Sequence, residues 1–213
     1  MPTDRPAIVA KVLQGALVVS ALAGAFVGLW SLVFVALAAL ALTYLPHYVA
    51  HLTGVRLPRS FLSAIVFFIF ATVFLGEAFD FYERYWWWDI ALHFGSAVSF
   101  GMFGFLFIFM LFEGDRYAAP PLAIAFLSFC VAMSVGAIWE IFEFAMDQIF
   151  GLNMQKSGLI DTMYDLIVDM AGATLGATAG FLYLKGQQMG GLGGALEDFV
   201  RLNKRLFAKI RDR

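Results

Sequence analysis

The chain predicts an all-α fold: a polytopic six-helix transmembrane bundle with a C-terminal amphipathic surface helix. Three observations carry this expectation. Of the 213 residues, 62% are hydrophobic and only 14% charged, where an ordinary soluble domain carries about 25% charged residues. Several apolar runs reach 18 residues or more, a length that crosses a bilayer and that a soluble core does not require. Finally, the basic residues fall almost entirely into alternate loops, as they do in proteins oriented by the positive-inside rule.

The run from Ala7 to Leu45 is almost wholly apolar. As one helix it would be roughly 58 Å long, about twice the hydrocarbon thickness. A break near Gly24–Trp30 therefore gives two helices, at about 8–25 and 30–50. Ala21-Leu22-Ala23 also fits a signal-peptidase site. The apolar run continues past it without a polar stop, so a retained first helix is expected; its cleavage would leave the remaining topology unchanged.

Further helices are expected at about 61–79, 88–112, 121–150 and 161–184, the fifth starting at Pro120-Pro121 because proline is tolerated at a helix start. Residues 1–185 thus form the membrane domain. Residues 186–194 read as a glycine-rich linker and 195–213 as a basic amphipathic tail. In the tail, Leu196, Phe199, Val200, Leu206, Phe207 and Ile210 share one helical face. That pattern suits a helix lying on an anionic lipid surface; a solvated tail or an oligomer contact fits it too.

Six helices place both termini on one side, together with Arg5, Lys11, Arg56, Arg59, Arg116, Lys185, Arg201, Lys204, Arg205, Lys209, Arg211 and Arg213. Only Arg84 and Lys156 lie opposite. The expected setting is a bacterial inner membrane with both termini cytoplasmic.

The acids are distributed the other way. Glu77, Asp80, Glu83, Asp89, Glu140, Glu143, Asp147, Asp161, Asp165 and Asp169, ten of the sixteen acids, fall toward the outer side. Asp80, Glu83 and Asp147 read as solvated loop residues. The others lie inside helices at spacings that share a face: Asp89 and His93 at i, i+4, Glu140 and Glu143 at i, i+3, and Asp161, Asp165 and Asp169 repeating at i+4. On the last helix this stripe continues into Gly172, Gly176 and Gly180, a small-residue pattern that lets helices approach closely, so the face and its acids should point into the bundle.

An ionised residue at mid-membrane costs on the order of 3 kcal/mol on the mildest scale. Several together must be paired, protonated or bound to a cation. Bound divalent metal is the economical reading. Oxygen ligands favour Mg²⁺, Mn²⁺ or Ca²⁺, and one imidazole brings Zn²⁺ or Fe²⁺ into range. The pairs are built as carboxylate-bridged dimetal sites are, from facing helices of a bundle, but without the Glu-x-x-His pairs of the ferritin-like proteins. A protonated or water-filled acidic cavity, and purely structural hydrogen-bonded acids, are the other readings.

Trp86, Trp87 and Trp88 read as an interfacial aromatic belt that sets the depth of Asp89 and His93. His47 and His51 read as interfacial or capping residues, and Cys130 as a small core residue; one cysteine permits neither an intrachain disulfide nor a cysteine metal cluster. Serine-nucleophile, phosphate-loop and nucleic-acid signatures are absent, and nothing indicates the oligomeric state.

Leu75-Gly76-Glu77, Trp88-Asp89-x-x-x-His93-Phe94, Trp139-Glu140-x-x-Glu143 and Asp161-x-x-x-Asp165-x-x-x-Asp169-Met170 together resemble the YjdF-like bacterial inner-membrane proteins, over roughly Leu57 to Leu184. The resemblance implies a six-helix inner-membrane protein whose characteristic polar set is Glu77, Asp89, His93, Glu140, Glu143, Asp165 and Asp169. It supplies no activity. The leading expectation is a divalent-metal site (Zn, Mn, Fe or Mg) held by that set, with Asp89 and His93 as ligands or general base of a hydrolase or transferase acting on a lipid or headgroup. A cation or proton-coupled transporter using the same acids, and an assembly subunit of a membrane complex, are the alternatives.

Overall fold

The computed structural model describes residues 5–112, 115, 119–187 and 190–207, and every structural statement below concerns these. Their regular elements are all helical: α1 Arg5–Val27, α2 Trp30–Thr53, α3 Arg59–Ile69 continued by a π-helical stretch Phe70–Glu77, a single turn α4 Phe81–Arg84, α5 Trp88–Leu111, α6 Pro121–Phe150, α7 Leu159–Leu184 and α8 Gly190–Leu202, then a 3₁₀ turn Lys204–Leu206. Six of these segments are long and apolar enough to cross a membrane, with the π stretch completing the third. The chain is a multi-pass membrane protein of all-α class. It divides into two compact units, Met1–Trp88 and Asp89–Arg213.

In the first unit the α1–α2 break falls at Gly28, whose φ of +76° a residue with a side chain rarely adopts. The two helices fold back on each other and, with the π stretch, bury Leu17, Ala21, Ala36, Ala39 and Phe74. Polar groups inside this pair are satisfied locally: Gln14 Nε2 donates to Thr43 Oγ1 (3.0 Å), whose hydroxyl donates to the Leu40 carbonyl. Ser63 ties α3 to the start of α1 by donating to the Pro6 carbonyl. Phe81, Tyr85, Trp87 and Trp88 form a cluster of edge-to-face and tilted rings, with centroids 4.9–6.0 Å apart, while Trp86 stands out, 83% exposed.

The second unit is a three-helix core of α5, α6 and α7. The contacts at its glycines define its geometry. α5 and α7 run parallel and almost touch backbone to backbone. A Cβ built on Gly172 would lie 2.6 Å from the Phe94 carbonyl oxygen, and one on Gly101 would lie 2.9 Å from that of Ala173. Further along, Gly180 receives the Phe105 ring. α6 runs antiparallel to both, with Gly104 of α5 against Ser128 and Gly136 of α6 against the Asp169 carboxylate. The glycine stripe of α7 is therefore buried in the seam, as small-residue packing requires.

α8 differs from expectation in two ways. It begins at Gly190, so part of the stretch read as a linker is helical. Four glycines within its first five residues do not prevent this, because tertiary packing outweighs a weak propensity. Its apolar face is also occupied: α8 packs on α7, Leu196 and Phe207 are fully buried, and the Phe207 ring meets Phe109 at 5.5 Å. Arg201, Lys204 and Arg205 remain exposed. Arg116, Lys209, Ile210, Arg211 and Arg213, counted in the charge asymmetry or the tail face, lie outside the described residues.

Candidate metal centre

The parallel α5–α7 pairing and the antiparallel α6–α7 pairing stack polar side chains in levels at one end of the second unit. Gly136 faces Asp169, so one turn further along, α6 presents Glu140 at the level where α7 presents Asp165. One more turn brings Glu143 and Asp161. From α5, His93 reaches the Asp169 level and Asp89 the levels beyond.

At the deepest level the His93 Nδ1 lies 3.3 Å from Asp169 Oδ1. Both residues are buried, and Gly136 is what makes room for the carboxylate: any side chain there would collide with Asp169 Oδ2. The other ring nitrogen, Nε2, faces Asp89 Oδ1 at 3.8 Å, one turn along the same helix. Asp165 completes a set: one ligand atom from each of Asp89, His93 and Asp165 lies within 4.8 Å of the others. A cation at the centre of such a set would have a nitrogen and two oxygens for ligands, with Asp169 fixing the imidazole from behind as carboxylates do for metal-bound histidines. Asp89, with its side chain a third exposed, marks the open end.

Glu140 is buried in α6, and neither carboxylate oxygen has a partner in hydrogen-bonding geometry. The Thr162 hydroxyl, which accepts from Gln155 Nε2 at 2.6 Å, faces it with its own O–H still free to donate. Its charged neighbours are His93, Asp169 and Asp161. Asp165 Oδ2 is likewise buried without a partner. Glu143, half-buried, accepts from Trp139 Nε1 (3.0 Å) and neighbours Glu140, Asp89 and His93 from the rim.

Of the residues singled out in the sequence, Asp89, His93, Glu140, Glu143, Asp165 and Asp169 therefore gather in one unit. Glu77 belongs to the first unit, where it ends the π stretch, exposed. Asp147, read as a solvated loop acid, instead shapes the α6–α7 loop by accepting from the Met154 and Gln155 amides at 2.7 and 2.9 Å. This loop also carries Lys156, one of the two cations read on the same side as the acids. The Lys156 amide donates to Asp161 Oδ2 (3.1 Å), and its ammonium is buried within electrostatic range of Asp89.

A family profile described as "Predicted membrane protein (DUF2238)" matches residues 6–186. An "Uncharacterized protein" of Thermotoga maritima is 33% identical over 105 residues, which is 49% of this chain and 53% of that protein. The chain thus spans about half the length of the curated relative it matches. No solved structure matches. With the profile covering most of both units, and in keeping with the resemblance read from the motifs, the chain belongs to the DUF2238 family of predicted membrane proteins.

Proposed function

We propose that this protein holds a divalent cation inside the membrane between Asp89, His93 and Asp165, with Asp169 orienting the imidazole. The observation that supports the reading most directly is the convergence of three ligand-bearing side chains within 4.8 Å, two of them buried, around a histidine whose other nitrogen meets a carboxylate. Buried charge in a bundle of low polarity needs such compensation. The mixed nitrogen and oxygen donors suit Zn²⁺, Mn²⁺ or Fe²⁺ better than Ca²⁺.

The site opens at Asp89, and the seam beyond Asp169 is built of Gly172, Ala173, Gly176 and Ala177 against Ala97, Gly101 and Phe105. A dead-end pocket of this kind favours an enzyme over a transport pathway, which requires polar groups at several depths. Our reading is a metal-dependent hydrolase or transferase acting on a lipid or its headgroup. A divalent ion there would supply Lewis-acid polarisation of a phosphoryl or carbonyl oxygen. Twelve basic residues against two support a reading with both termini in the cytoplasm of a bacterial inner membrane and Asp89 toward the outer face. The exposed Arg201, Lys204 and Arg205 of the tail would meet anionic headgroups.

Elemental analysis of detergent-purified protein tests the centre. Bound metal in the wild type, lost in His93→Ala, is the expected result. A wild type that binds none after loading with Zn²⁺ or Mn²⁺ refutes the reading.

A further inference from the structure

We infer that the site holds two divalent cations, the second bound by Glu140 and bridged to the first through Asp165. This rests on the metal centre proposed above and adds to it a second, independent observation. Glu140 is 4% exposed, and both its carboxylate oxygens lack a partner among the described residues. A buried, unpartnered carboxylate is among the least tolerable groups in a protein interior. Protonation removes the charge but leaves both oxygens without a partner in hydrogen-bonding geometry, the facing Thr162 hydroxyl included. A cation satisfies both oxygens at once.

The helix pairing puts that cation beside the first. Glu140 and Asp165 share a level, one turn along from the Gly136–Asp169 contact. Glu140 is among the charged neighbours of Asp165, and Asp165 keeps Oδ2 buried and unpartnered while contributing a ligand atom to the Asp89–His93 set. A carboxylate with one oxygen for each of two cations is the standard bridge of two-metal sites, whose ions lie about 3.5–4 Å apart.

Charge points the same way. Lys156, whose ammonium lies within electrostatic range of Asp89, offsets one of the six acids Asp89, Glu140, Glu143, Asp161, Asp165 and Asp169. Five negative charges remain when all six are ionised. One divalent cation leaves three of those negative charges uncompensated, whereas two leave one.

Stoichiometry tests this. Purified full-length protein is dialysed against Mn²⁺ and metal per chain is measured by elemental analysis, with the electron paramagnetic resonance spectrum recorded on the same sample. Two Mn²⁺ per wild-type chain with a spin-coupled signal are expected, falling to one with an isolated six-line signal in Glu140→Gln. One Mn²⁺ per wild-type chain with the isolated signal overturns the second cation and leaves the first site standing. No Mn²⁺ in the wild type, and none with Zn²⁺, overturns the centre itself. Two Mn²⁺ retained in Glu140→Gln overturn the assignment to Glu140. If that variant does not fold, the wild-type stoichiometry and spectrum still decide.

Discussion

Replacing Gly172 with alanine should disable the metal centre without touching any ligand. The new Cβ would sit 2.6 Å from the Phe94 carbonyl oxygen, 2.8 Å from the Ala97 Cβ and 3.1 Å from the Val98 amide nitrogen. Ordinary contact begins near 3.4 Å, so α5 and α7 must part by about 0.8 Å at this point, the difference between 3.4 and 2.6 Å. Overpacking of this kind costs about 1–3 kcal/mol. Phe94 adjoins His93, and Gly172 lies one turn from Asp169. If only half of the parting reaches the His93–Asp169 contact, its 3.3 Å becomes about 3.7 Å, beyond hydrogen-bonding reach. Loss of an orienting partner weakens metal affinity by roughly 10–100-fold. Thermal unfolding in detergent and metal titration by dye competition measure the two effects. Gly95→Ala is the control: a Cβ there meets nothing within 4 Å, and alanine is the better helix former by about 1 kcal/mol. Wild-type affinity and stability in Gly172→Ala would refute the proposed coupling between seam and site.

Asp169→Asn keeps the shape and removes the charge behind His93, so metal affinity should drop about 10–100-fold, read by the same titration. Asp147→Ala strips the Met154 and Gln155 amides of their acceptor; about 1–3 kcal/mol should be lost locally, seen as faster proteolytic nicking of the 151–158 loop at unchanged helix content. Leu196→Ala, at a fully buried position of α8, should weaken docking of the tail by about 2–5 kcal/mol and expose it to protease while metal content holds. Trp87→Ala belongs to the aromatic cluster of the other unit. It should lower membrane yield or stability and leave metal content unchanged in purified protein.

Periodicity made much of this arrangement readable. The i, i+4 repeat of Asp161, Asp165 and Asp169, running on into Gly172, Gly176 and Gly180, names one face of α7, and a face that combines acids with glycines has to be internal. The pairings between helices were not readable, because register between two helices depends on side chains from both. Hence the meeting of His93 with Asp169, and the alignment of Glu140 with Asp165, required coordinates. Glu77 shares the chemistry of the other acids, but nothing in its local sequence says that its helix belongs to a different compact unit. Asp147 reads as a wet loop acid for a similar reason: the amides it collects lie seven and eight residues later. For α8, amphipathicity identifies an apolar face but not whether lipid or protein covers it, and here α7 and Phe109 do.

The backbone-to-backbone seam between α5 and α7 also limits how this protein can drift under mutation. Where a crowded core is lined by side chains, a neighbour can change rotamer or shorten, and a second substitution restores the fit. At Gly172 and Gly101 the opposing atoms include the carbonyl oxygens of Phe94 and Ala173, which every residue type carries and no exchange of side chain removes. Suppressors of a lesion there can arise only by displacing a whole helix. The positions should therefore admit no residue but glycine, however freely the lipid-facing phenylalanines around them are exchanged.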